Sequence, residues 1–516
     1  MNTTRNLLNS SIARTSFTAI YAVIAFFFMP FLVAHLGERW YGIWIVVTGL
    51  VANSYLLDLG ISTAVTRYVA KYLAEKDDRG VNEVVNTCLV IYTALAAVIV
   101  VLTLVLTAFA GRFVPDATDL TIVRSTMILI GLQYAAEFPF KAFAGIVSSY
   151  VRYDLLMLSR LLNVVLSTGL MVFFIRRGHG IVTMAIIVLS VDQLSNFIYF
   201  RIAKHLFKNL RISRRFVKRP LVKELFNYST WSFVIQLAST ARLRVDPLVI
   251  GWMISATAVT FYSVGLRLVE YLMEFIQKAT NMMTPVFTRY FFEGRFDEIR
   301  NKYLFVTRIN AALAIFGGGS LIIFGKAFIL RWMGPSFEES YAVLVVMTVA
   351  MTFEVIGVHA DNILYAMSKH RFLAIVGAIE AIANVGLSIL LARQFGIVGV
   401  AIGTAVPLLI CRIFIIPYYV GQAMQLSMWR YYKDLAPLSL FTVLYLGVTG
   451  YLVRPFLEPP TFTAIALAGL VSVPLYVFAI ARIGFTVEER AQLQNALPAR
   501  IQRFSGPVLG CRVSGE

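Results

Sequence analysis

The tripeptide Thr66-Arg67-Tyr68 returns 222 residues further along the chain as Thr288-Arg289-Tyr290. Each copy closes an apolar run and opens a charged segment. Tyr41-Gly42 and Tyr262-Ser263 begin the two runs concerned, 221 residues apart, and Asn163-Val-Val-Leu-Ser167 matches Asn384-Val-Gly-Leu-Ser388 at the same spacing. Three matches in one register describe an internal repeat. An even number of apolar runs separates the copies, so both keep one orientation, as parallel repeats about an axis along a membrane normal do.

The material of the repeat is strongly apolar. Of 516 residues, 59% are hydrophobic and only 14% charged, against roughly 25% charged in a soluble protein. Mean hydropathy is +0.75, which excludes an ordinary soluble enzyme. A spanning helix needs about 20 mostly apolar residues. Such runs fall at 15–35, 41–63, 86–110, 124–148, 155–175, 180–203, 228–254, 258–285, 309–330, 341–366, 372–392, 397–421, 435–453 and 461–481. The expected fold is therefore an all-α polytopic membrane protein of about fourteen transmembrane helices. Residues 1–205 and 224–422 form two six-helix pseudo-symmetric lobes, joined by a basic loop at 206–223. An extra helix pair at 423–483 and a tail at 484–516 follow.

Charge sets the orientation, because Lys and Arg resist translocation. One set of alternate loops, with both termini, holds 31 of the 46 basic residues, and the opposite set holds nine. The net charge of +18 is thus topogenic, and both termini are expected in the cytoplasm. The segment 201–224 carries nine basic residues against Glu224 alone. Between two spans, such a segment meets anionic lipid headgroups rather than nucleic acid.

Besides the charges counted with the loops and run ends, fifteen remain inside the apolar runs. At about 2.5–3.5 kcal/mol each, placing them all against lipid would cost roughly 40 kcal/mol, more than folding could offset. They must face one another or a water-filled cavity. Arg267, Glu270, Glu274 and Lys278 step by three, four and four along one helical face, covering about 16 Å of rise. They read as a cavity wall, with an intrahelical ion-pair ladder as the alternative. Arg242, Arg244 and Asp246 sit near the middle of the seventh run, ahead of Pro247, which loosens the turn before it. Gln133, Glu137 and Lys141 lie at four-residue intervals, where Glu137–Lys141 suits an internal pair as well as a ligand contact. Arg412 either faces the cavity or neutralises an acid. The cavity candidates are therefore Arg242, Arg244, Arg267, Glu270, Glu274, Lys278, Lys141 and Arg412, and the ion-coupling candidates are Asp58, Glu137, Asp192, Asp246, Glu354 and Asp361.

Other chemistry is not signalled. Cys88, Cys411 and Cys511 lie far apart, without a C-x-x-C pair, so neither a disulfide framework nor a metal site is expected. Gly317-Gly-Gly-Ser320 reads as a small-residue helix contact. It fails as a phosphate loop, because Ser320 stands where a glycine is required before Gly325-Lys326 and Ala327 replaces Ser or Thr. No catalytic motif and no cofactor site is found.

Leu36-Gly-Glu-Arg-Trp-Tyr-Gly-Ile-Trp44, Leu57-Asp-Leu-Gly-Ile-Ser62 and Arg67-Tyr-Val-Ala-Lys71 resemble the first lobe of polysaccharide-biosynthesis flippases of the Wzx type. Asp246-Pro-Leu-Val-Ile-Gly251 and Tyr262-Ser-Val-Gly265 resemble their second lobe. The likeness covers roughly residues 5–420 and rests on a diffuse pattern. It places the chain in the superfamily of multidrug exporters and lipid II flippases. It implies two V-shaped lobes around a cationic cavity in a bacterial inner membrane. It also implies transfer of an undecaprenyl-pyrophosphate-linked oligosaccharide to the outer leaflet, coupled to H+ or Na+, with a polysaccharide polymerase and co-polymerase as partners. The span count looks more like the lipid II branch and some exopolysaccharide transporters than the O-antigen members. Two other readings stand beside this one. A cation-coupled multidrug exporter would share the lobes, but six intramembrane basic residues favour an anionic substrate. A membrane oligosaccharide polymerase should carry a large external loop, and the longest external loop expected here is about fourteen residues.

Overall fold

A computed structural model describes residues 3–52, 57–58, 60–112, 117–150, 152–223, 225, 244–280, 283–457, 461–485 and 489–490. The helices are α1 (Thr3–Leu36), α2 (Glu38–Ala52), α3 (Ile61–Ala74), α4 (Asp78–Ala108), α5 (Ala117–Glu137), α6 (Lys141–Ser149), α7 (Tyr153–Ile175) and α8 (Ile181–Leu206). There follow α9 (Asp246–Met253), α10 (Ala256–Thr280), α11 (Thr284–Phe292), α12 (Phe296–Met333), α13 (Glu339–Ala366), α14 (His370–Ile410), α15 (Ile416–Met424), α16 (Met428–Val453) and α17 (Phe462–Ile483). Among the described residues, eight helices are long and apolar enough to cross a membrane, and a ninth candidate is the pair Ile20–Leu36 and Glu38–Val51, bent by 120°. No strand is found among the described residues.

Several expected spans are built from pieces. The run 41–63 is α2 and the start of α3, with a 3-10 turn at Leu57–Asp58 between them. The run 124–148 is broken at Phe138–Phe140, where Pro139 removes a backbone donor and the chain tightens into a 3-10 turn between α5 and α6. Two expected spans, 372–392 and 397–421, are joined with almost no loop. Helix α14 runs on through a single residue of non-helical backbone, Gly396, at φ 57 and ψ −136. Glycine adopts that conformation without a Cβ clash. Beyond it a π turn over Cys411–Ile415 precedes α15. The seventh expected run, 228–254, lies largely outside the described residues, and so does Arg242.

The repeat has a structural counterpart. Thr66–Tyr68 lies on α3 and Thr288–Tyr290 on α11, short helices that each precede a charged turn and a long helix, α4 or α12. In the second turn, Arg289 donates to Glu293 at 2.7 Å and Arg295 donates to its other oxygen at 2.9 Å. Those two hydrogen bonds hold the exposed Glu293 carboxyl below its ordinary range.

Contacts divide the chain into two units, 1–262 with 374–400, and 263–373 with 401–516. In the first unit, Val81, Val84, Val85 and Cys88 of α4 pack against Ile61, Ala64 and Val65 of α3 and Ala142, Phe143 and Ile146 of α6. Phe207, Leu210 and Leu221 of the basic loop, with Leu225 just after it, join this core. The loop is also pinned along its backbone. Asn82 donates to the Asn209 carbonyl at 3.0 Å and accepts from the Arg211 amide at 2.7 Å. One turn on, Asn86 donates to the Arg211 carbonyl and accepts from the Ser213 amide, both at 2.8 Å. Thr87 accepts from the Lys218 amide at 3.0 Å. Asparagine side chains carry the same donor and acceptor pair as a peptide, so α4 offers the loop a substitute for a neighbouring strand. Arg211, Arg214, Arg215 and Arg219 are left exposed.

In the second unit, α12 packs closely against α13 through small residues, as apolar helices do in membranes. A Cβ on Gly318 would stand 2.5 Å from the Thr352 hydroxyl, and one on Gly319 would stand 2.4 Å from Leu446 of α16. The Gly317–Ser320 stretch is a helix contact, as its composition implied. On α17, Leu467, Leu470 and Val471 turn outward.

Replacing both Asn82 and Asn86 by Ala should free the loop from α4. Each lost part-buried hydrogen bond should cost about 0.5–1.5 kcal/mol. Trypsin should then cut the detergent-solubilised protein within 208–219 at least about tenfold faster than wild type, since cleavage follows local opening.

Candidate functional site

The charges expected inside the membrane helices fall into distinct environments. In the first unit, Asp58 sits in the break between α2 and α3 and is 7% exposed. It accepts from Ser62 Oγ at 2.7 Å and from Tyr92 Oη at 3.0 Å. Lys141 Nζ lies 3.8 Å from its Oδ1 and 4.0 Å from the centre of the Phe138 ring. Lys141 thus pairs across the fold with Asp58 of the break between α2 and α3, besides lying one turn on from Glu137.

Next to this pair lies an acid held by amides. Asp192 of α8 accepts from Gln133 Nε2 of α5 and from Asn163 Nδ2 of α7, both at 2.6 Å. Asn163 also donates to Ser195 Oγ at 3.0 Å, and Gln133 lies 3.5 Å from Glu137 Oε2. The network ties three helices at their polar points. Asp246, at the start of α9, is 1% exposed and accepts from Tyr262 Oη at 2.5 Å.

In the second unit the polarity is reversed. Arg412 is buried in the π turn, with its Nη1 at 2.9 Å from both oxygens of Asp361 and its Nη2 at 3.6 Å from Glu354. Of the two roles open to it in the sequence, neutralising acids is the one this geometry supports. Gln133 and Glu354 are 221 residues apart, the spacing of the repeat. Each copy thus sets a polar side chain of its fourth span against one of its sixth. The first copy uses amide and acid, the second acid and arginine.

Arg267 behaves differently. It pairs with Glu270 at 2.9 Å on α10, yet its side chain is 54% exposed. Glu274, one turn on, is exposed, and so is Arg244 just before α9. The side chain of Lys278 lies outside the described residues. The charged stripe is why α10, although 25 residues long, is absent from the helices apolar enough to cross a membrane. Among the described residues, no three His, Cys, Asp or Glu side chains gather as a metal site. The sequence reading passed over Asn82, Asn86, Tyr92 and Asn163, whose amide or hydroxyl groups do much of the pairing. The four-residue step from Asn82 to Asn86 was a visible signal for the first two.

Long apolar helices interrupted at Asp58, Pro139 and Gly396, with charges held inside them, define a multi-pass membrane protein of the MOP transporter fold. Solved structures agree. The inward closed lipid II flippase MurJ superposes with a TM-score of 0.65 at 14% identity, over 92% of this chain and 99% of that one. An inward-facing multidrug resistance MATE family transporter of the MOP superfamily gives 0.65 at 15% identity, over 80% and 98%. A family model described as polysaccharide biosynthesis protein matches residues 7–291, more than half of the chain. The chain belongs to that family. It is 24% identical over 408 residues to the uncharacterized membrane protein EpsK of Bacillus subtilis, which covers 76% of this chain and 79% of EpsK. It is 23% identical over 192 residues to the probable low-salt glycan biosynthesis flippase Agl15 of Haloferax volcanii, 37% of this chain and 41% of that protein.

The two kinds of arginine should separate in stability measurements. Arg412→Ala leaves the part-buried Asp361 and Glu354 without this cation and should destabilise the protein by about 2–4 kcal/mol, toward the range for breaking a buried pair. Arg267→Ala breaks a largely exposed pair and should cost about 1 kcal/mol or less. Thermal unfolding of the purified variants in detergent measures both.

Proposed function

We propose that the chain is a flippase that carries an undecaprenyl-pyrophosphate-linked oligosaccharide from the cytoplasmic to the outer leaflet of a bacterial inner membrane, for export of a surface polysaccharide. Two six-helix lobes, 1–205 and 224–422, rock about a central substrate site in alternating access, and both termini lie in the cytoplasm. Membership of the polysaccharide biosynthesis family supports this reading, as do the names of two similar proteins, a glycan biosynthesis flippase and a lipid II flippase.

The observation that carries the site assignment is the exposure of Arg267. Lys141 and Arg412 are buried against acids, so their charge is already matched. Arg267 and Arg244 keep exposed side chains on runs that the sequence pattern places in the membrane. A guanidinium stays charged at any working pH and grips phosphate oxygens through two parallel hydrogen bonds. Pyrophosphate is the part of the substrate least able to enter the bilayer unaided, so it is where such a grip acts. Glu270 and Glu274 flank Arg267 and limit the net positive charge, which keeps binding weak enough for release on the far side. Arg242 and Lys278 extend the same cationic site in this reading. An H+ or Na+ gradient drives the cycle through the buried acids, among which Asp58, Glu137, Asp192, Asp246, Glu354 and Asp361 are the candidates. The interior arginines favour this over a multidrug exporter of cationic compounds.

Loss of the protein should block surface polysaccharide while lipid-linked repeat units accumulate on the cytoplasmic side. Units found outside but unpolymerised would instead favour the polymerase reading. In reconstituted vesicles, Arg267→Lys should retain part of the flipping rate, because it keeps the charge and loses only the fork. Arg267→Glu should abolish flipping at unchanged protein level, and full transport by this variant would remove Arg267 from the site.

A further inference from the structure

The buried polar groups used so far lie on one side of α13. Glu354, Gly357 and Asp361 face Arg412. The opposite side carries a second polar stripe, made by Thr348, Thr352, Val355 and His359. Steps of four, three and four keep these residues within about 60° of one another around the helix. This stripe meets α12. Asn310 Nδ2 donates to the Val355 carbonyl at 2.5 Å, and the Thr352 hydroxyl lies where a side chain on Gly318 would be. Both contacts set the helices antiparallel, and the Asn310 bond sets the register beside it. Moving from Asn310 back to Thr307 on α12 corresponds to moving forward from Val355 to His359 on α13. Thr307 and His359 therefore stand at one level.

These side chains are fully enclosed. Thr307 and Asn310 are 0% exposed, and Thr348 and His359 are 1% exposed. Yet Thr307 Oγ1, Asn310 Oδ1, Thr348 Oγ1 and His359 Nδ1 make no hydrogen bond to the described residues. A Thr hydroxyl in a membrane helix ordinarily donates back to the preceding turn, as Thr352 does to Thr348 at 2.7 Å. A buried acceptor or donor without a partner costs about 1–3 kcal/mol, so four along one seam point to a further hydrogen-bonding species. A water molecule needs two to four polar partners, and a hydroxyl, an amide oxygen and an imidazole nitrogen supply three. An alkali cation prefers oxygen ligands, and His359 presents nitrogen. At its other end the stripe borders an apolar cavity of about 470 Å³, lined in part by Gly318, Thr348 and Thr352.

We propose that Thr307, Asn310 and His359 form a buried water and proton site in the second unit, separate from the charged groups assigned to substrate and coupling. A proton arriving on the bound water passes to His359 Nδ1. One O–H bond breaks, one N–H bond forms, and neutral water stays on Thr307 and Asn310. From α12, Arg308 adjoins Thr307 and pairs with Asp434 and Glu489, and Tyr303, one turn back, stacks its ring on Tyr431 of α16. On α13 itself, Glu354 and Asp361 lie on the far side and are matched by Arg412 of the π turn. The segment after that turn adds Tyr418 and Tyr419, with Tyr419 stacked on Phe372. The short helix α11, also packed on α13, carries Arg289, exposed and paired with Glu293, and Tyr290. No acid on these elements is placed to hold an imidazolium permanently, so the site exchanges its proton rather than storing it. The site does not depend on what the protein transports.

The test uses the full chain in detergent with 15N-labelled histidine and no substrate. The five histidines are distinguished by the loss of one set of imidazole signals in His359→Gln. The His359 nitrogens should move reversibly between neutral and imidazolium positions between about pH 4 and 9. Thr307→Val keeps the shape of the side chain, and Asn310→Leu removes the second partner. Together they should shift that midpoint by about half a unit or more and slow exchange of the imidazole proton with solvent. A His359 signal that stays neutral throughout would overturn the proposal. So would a titration that these two substitutions leave unchanged, because His359 would then take its proton by another route. Since no lipid-linked sugar is present, a failed flipping assay leaves this result standing, and the reverse also holds.

Discussion

The hydrocarbon interior of a bilayer offers no water to a charge, and that constraint shapes this protein more than any single contact. A charged side chain in it must find a partner, reach water in a cavity, or distort the helix that carries it. Pairing and helix distortion both occur here. Asp58 lies where a span breaks, Arg412 lies in a π turn, and the charged stripe of α10 leaves that helix too polar for lipid on every side. The irregular places in the backbone and the polar places in the interior largely coincide. Helix breaks supply unsatisfied backbone groups and altered side-chain directions, and polar residues near them can exploit both.

The two copies of the repeat meet the constraint with opposite chemistry. In the first, Asp192 is held by the amides of Gln133 and Asn163. In the second, Arg412 is held by Asp361 and Glu354. Neutral amides hold the single acid of the first copy, whereas in the second one arginine sits between two carboxylates. Duplicated frames can therefore hold different electrostatic duties while keeping one helix order.

The basic loop shows a third solution. Its arginines remain in water, but its backbone is fastened to Asn82, Asn86 and Thr87 of α4, and its apolar residues enter the core of the first unit. A segment with so many like charges would otherwise repel itself and stay extended. Peptide-like side chains on a neighbouring helix supply the hydrogen bonds that the loop lacks, and four buried apolar residues supply the anchorage.

By itself the sequence determined the membrane class, the helix order and the repeat, because each follows from properties that add along the chain: hydropathy over about 20 residues, charge between runs, and a register of matching residues. It also marked which charges had to be explained. Tertiary structure alone decided how they were matched. Lys141, just after a proline turn, meets Asp58 across the fold, and Arg412, in a π turn, meets Asp361 and Glu354. His359 stood out only once its register against Asn310 and Thr307 was known. A one-dimensional pattern gives the face of a helix on which a residue lies. What stands opposite that face depends on breaks and contacts between segments far apart in the chain, and no local rule encodes them.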